Sequence, residues 1–288
     1  MSLNYVVYTD SASDIPADIR EKWGVYSSDL TFRFDGSEVE YSNSGMPIKE
    51  FYDKMRDGGV AKTAAVNSET FAAQFEALFK RGFDILYLGF SSGLSTTFNS
   101  ARIAAEQLKE SYPDRKIITV DTLCASAGAA LLIRMVLDKK EAGATLEEAA
   151  AYAEENKLNI CHWFTVDDLV YLKRGGRVSP AVAFVGNLMG IKPILHVDNE
   201  GHLIKVTKAR GRKGSILALA DMYGELHRDG DYRIFISHSD AKGDAEFLAS
   251  VIEEKYGRKT ELITDVGPVI GAHSGPGTLA LFFVGKER

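Results

Sequence analysis

The sequence predicts an α/β protein built as two α/β domains, with a mostly parallel sheet in the first and a mixed sheet in the second. Three observations lead there. Apolar runs of strand length alternate with helical stretches as far as Cys161, which calls for crossover connections and a parallel sheet. Beyond Cys161, residues 194–209 fold back on themselves as a hairpin, which a purely parallel sheet does not contain. The length, 288 residues, suits about two domains. The boundary is expected near residue 160, giving an N-terminal domain over 1–160 and a C-terminal domain over 161–288.

Residues 5–8 open the chain as a strand ending in Thr9-Asp10-Ser11, and Ser13 or Asp14 is expected to cap a helix running to Lys22. Asn67 or Ser68 caps the next helix, in which Phe71, Phe75, Leu78 and Phe79 share a face; Gly82 ends it. Asp84–Gly89 reads as a buried strand, and the helix after it keeps Phe98, Ala101, Ala105 and Leu108 on one side. A strand over 117–120 and a helix over 126–140 follow. Thr145 and Glu148 have the spacing of a capping box and open a helix to about Asn156.

After Cys161 a short helix over 167–174 stops at Gly175-Gly176, and another is expected over 180–189. The hairpin turns at 199–201. A helix over 213–227, a strand over 233–237, a helix over 244–256 and strands near 261–264 and at Leu279–Val284 complete the pattern.

Composition narrows the function classes. With 45% hydrophobic and 26% charged residues the chain sits near the globular average, which argues against disorder, collagen and coiled coil. Its net charge of −6 gives no general basic field for nucleic acid. The longest apolar runs fall far short of the ~20 residues a membrane span needs. The amino terminus lacks the basic region of a secretory signal, so a cytoplasmic setting with reduced thiols is expected. Cys124 and Cys161 have no CxxC partner, and no histidine pair has metal-ligand spacing, so no metal is expected. A G-x-G-x-x-G after the first strand and a Walker A sequence are both missing, so no nucleotide cofactor is expected.

Ligands of open α/β sheets bind beyond the carboxyl ends of strands, where loops lead into helices. Four such loops are rich in hydroxyls, glycine or histidine: residues 9–14, 62–69, 91–97 and 267–277. The first ends a strand in aspartate, as aspartyl phosphotransferases do, but Ala12 stands where the second acid belongs. Residues 89–93, GFSSG, match the nucleophile elbow of serine hydrolases. That reading takes Ser91 as nucleophile, Asp231 or Asp265 as acid and His238 or His273 as base. It lacks an HGGG-type oxyanion segment. The same loop also offers Ser91, Ser92, Ser95, Thr96 and Thr97 at a helix start, a setting that suits a carboxylate or phosphate without any nucleophile. Thr63 could add a hydroxyl to the same anion.

Two basic stretches stand out in this acidic chain. Lys173, Arg174 and Arg177 surround the double glycine, and Lys205, Lys208, Arg210, Arg212 and Lys213 lie further on. They suit a phosphate or an acidic partner, or form a solvated face. No aromatic residues interleave with them, so a nucleic-acid groove is not expected. His196, His202 and His227 are expected to face solvent and His162 to lie in the core. His273 sits among glycines in a loop facing a cleft.

Taken in order, TDSASDIP, SSGLSTTFNSA, VDDLVYLKRGGRVSPAVAFVGNLMGIKPIL, KARGRKGS and GPVIGAHSGPGTLALFF resemble the DegV family of bacterial fatty-acid-binding proteins over nearly the whole chain. The resemblance implies two α/β domains holding a long-chain fatty acid, such as palmitate, stearate or oleate, in a buried tunnel between them. It implies no reaction of the chain's own, but service as the acyl-carrying subunit of a fatty acid kinase. The carboxylate would be phosphorylated by a separate catalytic partner, with transient membrane contact allowed. The family's carboxylate-binding positions fall on Thr63 and Ser95, with Ser92, Arg177 and His273 as further polar-end candidates. Ala64-Ala65-Val66 and Thr96 depart from the family pattern of polar and proline residues and of glycine. Phe98, Phe164, Phe184, Leu188 and Ile191 are candidates for the tunnel wall, against an alternative of plain core packing. Lys173, Arg174, Arg210, Arg212 and Lys213 are candidates for docking the partner.

Overall fold

The computed structural model describes residues 4–178, 190–230 and 233–288. The helix expected over 180–189, with Phe184 and Leu188, lies outside them, as does Asp231.

The chain starts with β1 (Tyr5–Asp10), α1 (Ala17–Trp23) and β2 (Tyr26–Ser28). An excursion follows that the sequence pattern does not announce: β3 (Thr31–Phe34), β4 (Tyr41–Ser42), α2 (Ile48–Arg56) and β5 (Ala61–Ala64). Then come α3 (Ser68–Lys80), β6 (Asp84–Gly89), α4 (Thr97–Ser111), β7 (Ile117–Asp121), α5 (Ala127–Glu141) and α6 (Leu146–Asn156). The second half holds β8 (Ile160–Thr165), α7 (Val170–Arg174), β9 (Ile191–Val197), β10 (Leu203–Arg210) and α8 (Gly211–Leu226). It closes with β11 (Ile234–His238), α9 (Lys242–Tyr256), β12 (Leu262–Asp265), α10 (Pro268–Ser274) and β13 (Leu279–Val284).

Strands β2-β1-β6-β7 form a parallel four-stranded sheet. Successive residues of its strands point to opposite faces. Val6, Tyr8, Ile85 and Tyr87 meet α3 and α4 through Phe71, Phe75, Leu78 and Ala101. Tyr5, Val7, Leu86 and Leu88 meet Ile133, Val136 and Leu137 of α5 and the alanines of α6. The capping signals hold: Asn67 accepts from Thr70 N (2.8 Å), and Thr145 with Glu148 closes a reciprocal capping box.

Strands β10-β9-β8-β13-β11-β12 form the second, mixed sheet, antiparallel except for β11 with β12. Its outer face packs Trp163, Ile236, Leu281 and Phe283 against α8 and α9. Its inner face packs Phe164, Leu195, Phe235 and Phe282 against Ala127, Leu131, Leu132 and Met135 of α5. Helix α5 is therefore sandwiched between two sheets, which explains its near-continuous apolar sequence. The third sheet, β4-β3-β5, is antiparallel. It shares a small core (Phe32, Phe51, Tyr52, Met55) with Ala272 of α10.

The two aspartates of the first loop are buried (Asp10 0%, Asp14 8% exposed), and neither caps α1. Pro16 holds that N-cap position without a side-chain bond. Ser13 instead donates to Asp10 O (2.9 Å). Asp10 accepts from Tyr87 Oη (2.7 Å), Phe90 N (2.9 Å) and Ala12 N (3.1 Å), which fixes the loop after β6. Asp14, in the left-handed region at φ 50°, accepts from Ser126 Oγ (2.6 Å) and from Gly267 N (3.0 Å) at the start of α10. Ser126 Oγ lies 3.0 Å from Ser237 Oγ of β11. One carboxylate thus ties the first loop to α5, to the mixed sheet and to α10.

Burial raises the Asp14 carboxyl from 3.8 to about 7, against the lowering influence of Ser126, Gly267 and Asn43. Between those pH values the folded chain holds a proton that the unfolded chain releases, so rising pH costs stability there. The thermal stability of Asp14→Asn relative to wild type is therefore expected to climb as pH goes from 3.8 to about 7. A difference independent of pH would contradict this assignment.

Candidate functional site

The inner face of the mixed sheet is wider than α5 can cover, and the uncovered part floors a cavity of about 470 Å³. That volume falls in the range of small-molecule sites. The floor is Phe164, Ala280, Phe282 and Ser237, alternating residues of adjacent strands in register, with His162 beside them. Helix α10 forms a wall through Val269, Ile270, His273 and Ser274. Phe90, Leu94, Leu172, Val197 and Leu203 make the rest of the lining largely apolar.

The polar residues of four distant stretches meet at this cavity through a chain of contacts. Thr63 of β5 bonds His273 of α10, with Oγ1 and Nε2 2.8 Å apart. The imidazole lies against Gly175, where a Cβ would stand 2.2 Å from Nδ1. Glycine is required here for close approach rather than for its backbone angles. Arg177 donates to Gly175 O and, through Nε, to Leu94 O (3.2 Å). The next residue, Ser95, accepts from Thr97 N (3.2 Å), pairs with Thr97 Oγ1 (2.9 Å) and so opens α4. Thr63 was expected in a loop; it lies on a strand, registered against Phe32.

The electrostatics of this end favour an anion. The hydrogen bonds that Arg177 makes among the described residues go to backbone carbonyls, and half-burial lowers its pKa. A partly dry cation answered only by carbonyls attracts a negative partner. Burial first, and the Arg177 charge second, push His273 down to about 4, so the ring is neutral at pH 7. Its Nδ1 is buried without a hydrogen-bond partner among the described residues. With Nε2–H donating to Thr63, the threonine hydroxyl proton is free for a carboxylate oxygen.

The remaining sequence candidates fall out as follows. Ser92 is exposed at the cavity rim, its backbone N–H on Asp121 (3.2 Å). Phe164 lines the floor, whereas Phe98 stacks on Tyr87 in the core and Ile191 sits half-buried at the start of β9, neither among the lining residues. Ser91 is fully buried: it donates to Gly201 O (2.9 Å) and accepts from Gly93 N (3.2 Å). Lys173, Arg174, Arg210 and Lys213 are exposed. Arg212 is not free for docking; it is tied to Asp244 (2.8 Å) and faces Asp167 (3.7 Å). His196 also departs from expectation, being half-buried and stacked on Trp163 at 4.8 Å rather than facing solvent. His162 is in the core as expected, bonded to Ile160 O, and it borders the cavity as well.

Sequence reasoning read Gly175 only as a helix stop and did not single out Ser126, Ser237 or Ser274. The double glycine beside two arginines was the one signal present for the close approach. Gly175→Ala is expected to push the imidazole off Thr63 and into more solvent. In long-range proton–nitrogen spectra the His273 ring, which burial and Arg177 push down to about 4, should then titrate nearer the ordinary histidine range than in wild type. An unchanged titration would mean that the glycine does not set the ring's position.

Comparison with known proteins places this geometry in a family. The sequence model described as "Uncharacterised protein, DegV family" matches residues 4–286. A DegV domain-containing protein of Clostridium perfringens is 44% identical over 286 residues, 99% of this chain and 98% of that one. A fatty acid-binding protein of Thermotoga maritima is 34% identical, with 98% of each chain covered. Among solved structures, a DegV lipid-binding protein of Thermotoga maritima superposes with a TM-score of 0.87 at 32% identity, covering 99% of both chains. A DegV family protein of Thermus thermophilus, solved in connection with fatty acid binding, gives 0.86 at 29% identity over 98% of this chain and 99% of its own. Both cover the parallel and the mixed sheet together. With a whole-chain family match and relatives above 30% identity along its full length, the chain belongs to the DegV family.

Proposed function

We propose that this chain binds a long-chain fatty acid, such as palmitate, stearate or oleate, in the cavity over the mixed sheet. The observation that carries the reading is the cluster of Thr63, His273, Ser95 and Arg177 at a cavity whose remaining lining is largely apolar. The relatives described as lipid- or fatty-acid-binding support it. Burying methylenes supplies the affinity at about 0.8 kcal/mol each, so a C16 tail gains roughly 10 kcal/mol before ordering costs. The carboxylate adds little net energy and fixes orientation, because a dry pocket rejects a charge that has no donors.

In this reading Thr63 and Ser95 donate to the carboxylate, His273 orients the Thr63 hydroxyl and Arg177 supplies the positive field. Ser92 stands at the rim, where the head group would be within reach of a second protein. The chain carries out no reaction itself and presents the acid to a kinase that phosphorylates it. Lys173, Arg174, Arg210 and Lys213 are the exposed basic residues that such a partner would meet. The proposal also divides the chain near residue 160. The parallel sheet precedes that point, the mixed sheet starts with β8 at Ile160, and the acyl site lies where they adjoin. The hydrolase alternative finds no support in the contacts described, since Ser91 is engaged with Gly201 and His273 with Thr63.

Mass spectrometry of the extracted protein, before and after incubation with stearate, tests the proposal. A bound acyl chain is expected. Thr63→Ala with Ser95→Ala removes two hydrogen bonds to a charged group, about 3 kcal/mol or roughly 100-fold in affinity. Phosphorylation of the acid by an ATP-using partner should fall with it. Protein that never retains a fatty acid would overturn the reading, and unaltered binding by the double variant would remove those two residues from the site.

A further inference from the structure

The cavity carries polarity that a plain hydrocarbon chain does not use. Ser274, the last residue of α10, is 6% exposed, lines the cavity, and its hydroxyl has no hydrogen-bond partner among the described residues. A buried hydroxyl left unpaired is costly, and native interiors keep few of them. Ser274 is not turned the way His273 is. On a helix, residues four apart share a face. Val269 and His273 form one row, which reaches Thr63; Ile270 and Ser274 form the other. The Ser274 backbone carbonyl accepts from Thr278 Oγ1 (3.0 Å), which sets this end of the helix against β13 and the floor of the cavity.

The floor has a matching group. Ser237 is fully buried and lines the cavity beside Ala280, its partner across β11 and β13. Ser126 donates its proton to Asp14, so the Ser237 hydroxyl donates to Ser126 and keeps its own lone pairs free. The other polar side chains nearby have their protons or ring nitrogens committed. His162 bonds Ile160 O with Nδ1 and accepts from Ala125 N with Nε2, and Thr278 gives its proton to the Ser274 and Gly275 carbonyls. Near the floor the cavity therefore offers a spare donor on Ser274 and free lone pairs on Ser237, while the spare acceptor His273 Nδ1 lies at the polar end.

We propose that the preferred ligand is an acyl chain bearing a hydroxyl group, which accepts from Ser274 and donates to Ser237. This deepens the fatty-acid reading and rests on it. A saturated chain in the same place leaves Ser274 unpaired, whereas a hydroxyl satisfies both serines at once. A keto group could use only the Ser274 donor.

The test is a binding series with stearate and its 2-, 3-, 10- and 12-hydroxy derivatives, measured on wild type, Ser274→Ala and Ser274→Thr. Wild type is expected to bind at least one mid-chain isomer about tenfold more tightly than stearate, the scale of one well-placed hydrogen bond. Ser274→Ala should bring that ratio to about one or below, and Ser274→Thr, which keeps the hydroxyl, should restore it. The ratio is the readout because a merely structural loss would weaken all the ligands alike. If stearate binds and every hydroxy isomer binds more weakly, this inference fails while the fatty-acid reading stands. It also fails if Ser274→Ala weakens stearate and the isomers equally, since Ser274 would then serve the carboxylate or the fold. It fails again if the ratio is unchanged because an ordered water already satisfies the hydroxyl. If neither stearate nor any isomer binds, both readings fall.

Discussion

The inner face of the mixed sheet has to be covered, and helix α5 covers only part of it. This constraint shapes the rest of the molecule. The helix lies over β8, β11 and β13 and buries Leu131, Leu132 and Met135 against Phe164, Phe235 and Phe282. Its opposite side buries Ile133, Val136 and Leu137 against the parallel sheet. A helix caught between two sheets has little freedom to slide, so its amino end is fixed, and Ser126 there takes a φ of 52° that few non-glycine residues adopt. The sheet surface left beyond that end becomes the cavity floor. Were α5 longer at its amino end, it would occupy the space that the ligand is proposed to fill.

The polar end is assembled from residues that no local motif joins. A strand of the small third sheet brings Thr63, the loop into α4 brings Leu94 and Ser95, the turn after α7 brings Gly175 and Arg177, and α10 brings His273. Each stretch is held by something outside the site. The third sheet leans on α10 through Phe51, Tyr52 and Ala272. Asp10 fixes the start of the serine loop through Phe90, and Asp14 holds the amide of Gly267, the residue that caps α10. Two buried carboxylates just behind the lining therefore brace residues of the cavity, Asp10 through Phe90 and Asp14 through Ser126. The two rows of α10 both reach the cavity, Val269 and His273 beside Thr63 and Ile270 and Ser274 next to them.

Much of this was legible in the sequence wherever a local signal dominated. The Asn67 cap, the Thr145–Glu148 box, the apolar stripe of α3 and the strands Asp84–Gly89 and Leu279–Val284 are recognisable from short patterns, because capping and side-chain periodicity act within a few residues. The stretch between α1 and α3 was not legible. Strand β5 reads Ala-Lys-Thr-Ala and β4 has two residues, so neither shows an apolar alternation; their stability comes from α2 and from a helix at the other end of the chain. Thr63 and Ser95 could be named from family resemblance, but their setting could not. Ser13 and Asp14 look like caps because capping is the commonest use of such residues ahead of a helix. Here burial turned them inward, and the contacts that decide this lie with Ser126 and Gly267. Ser237 and Ser274 carry no periodic signature at all, and only the packed sheet shows what they face.

The central claim is that Thr63 and Ser95 fix an acyl carboxylate over the uncovered face of the mixed sheet. A crystal structure of the protein with stearate tests it most directly. The account predicts a carboxylate within hydrogen-bond distance of Thr63 Oγ1 and Ser95 Oγ, with the chain running over Phe164, Ala280 and Phe282. A chain lodged elsewhere, or a carboxylate that reaches neither hydroxyl, would contradict it.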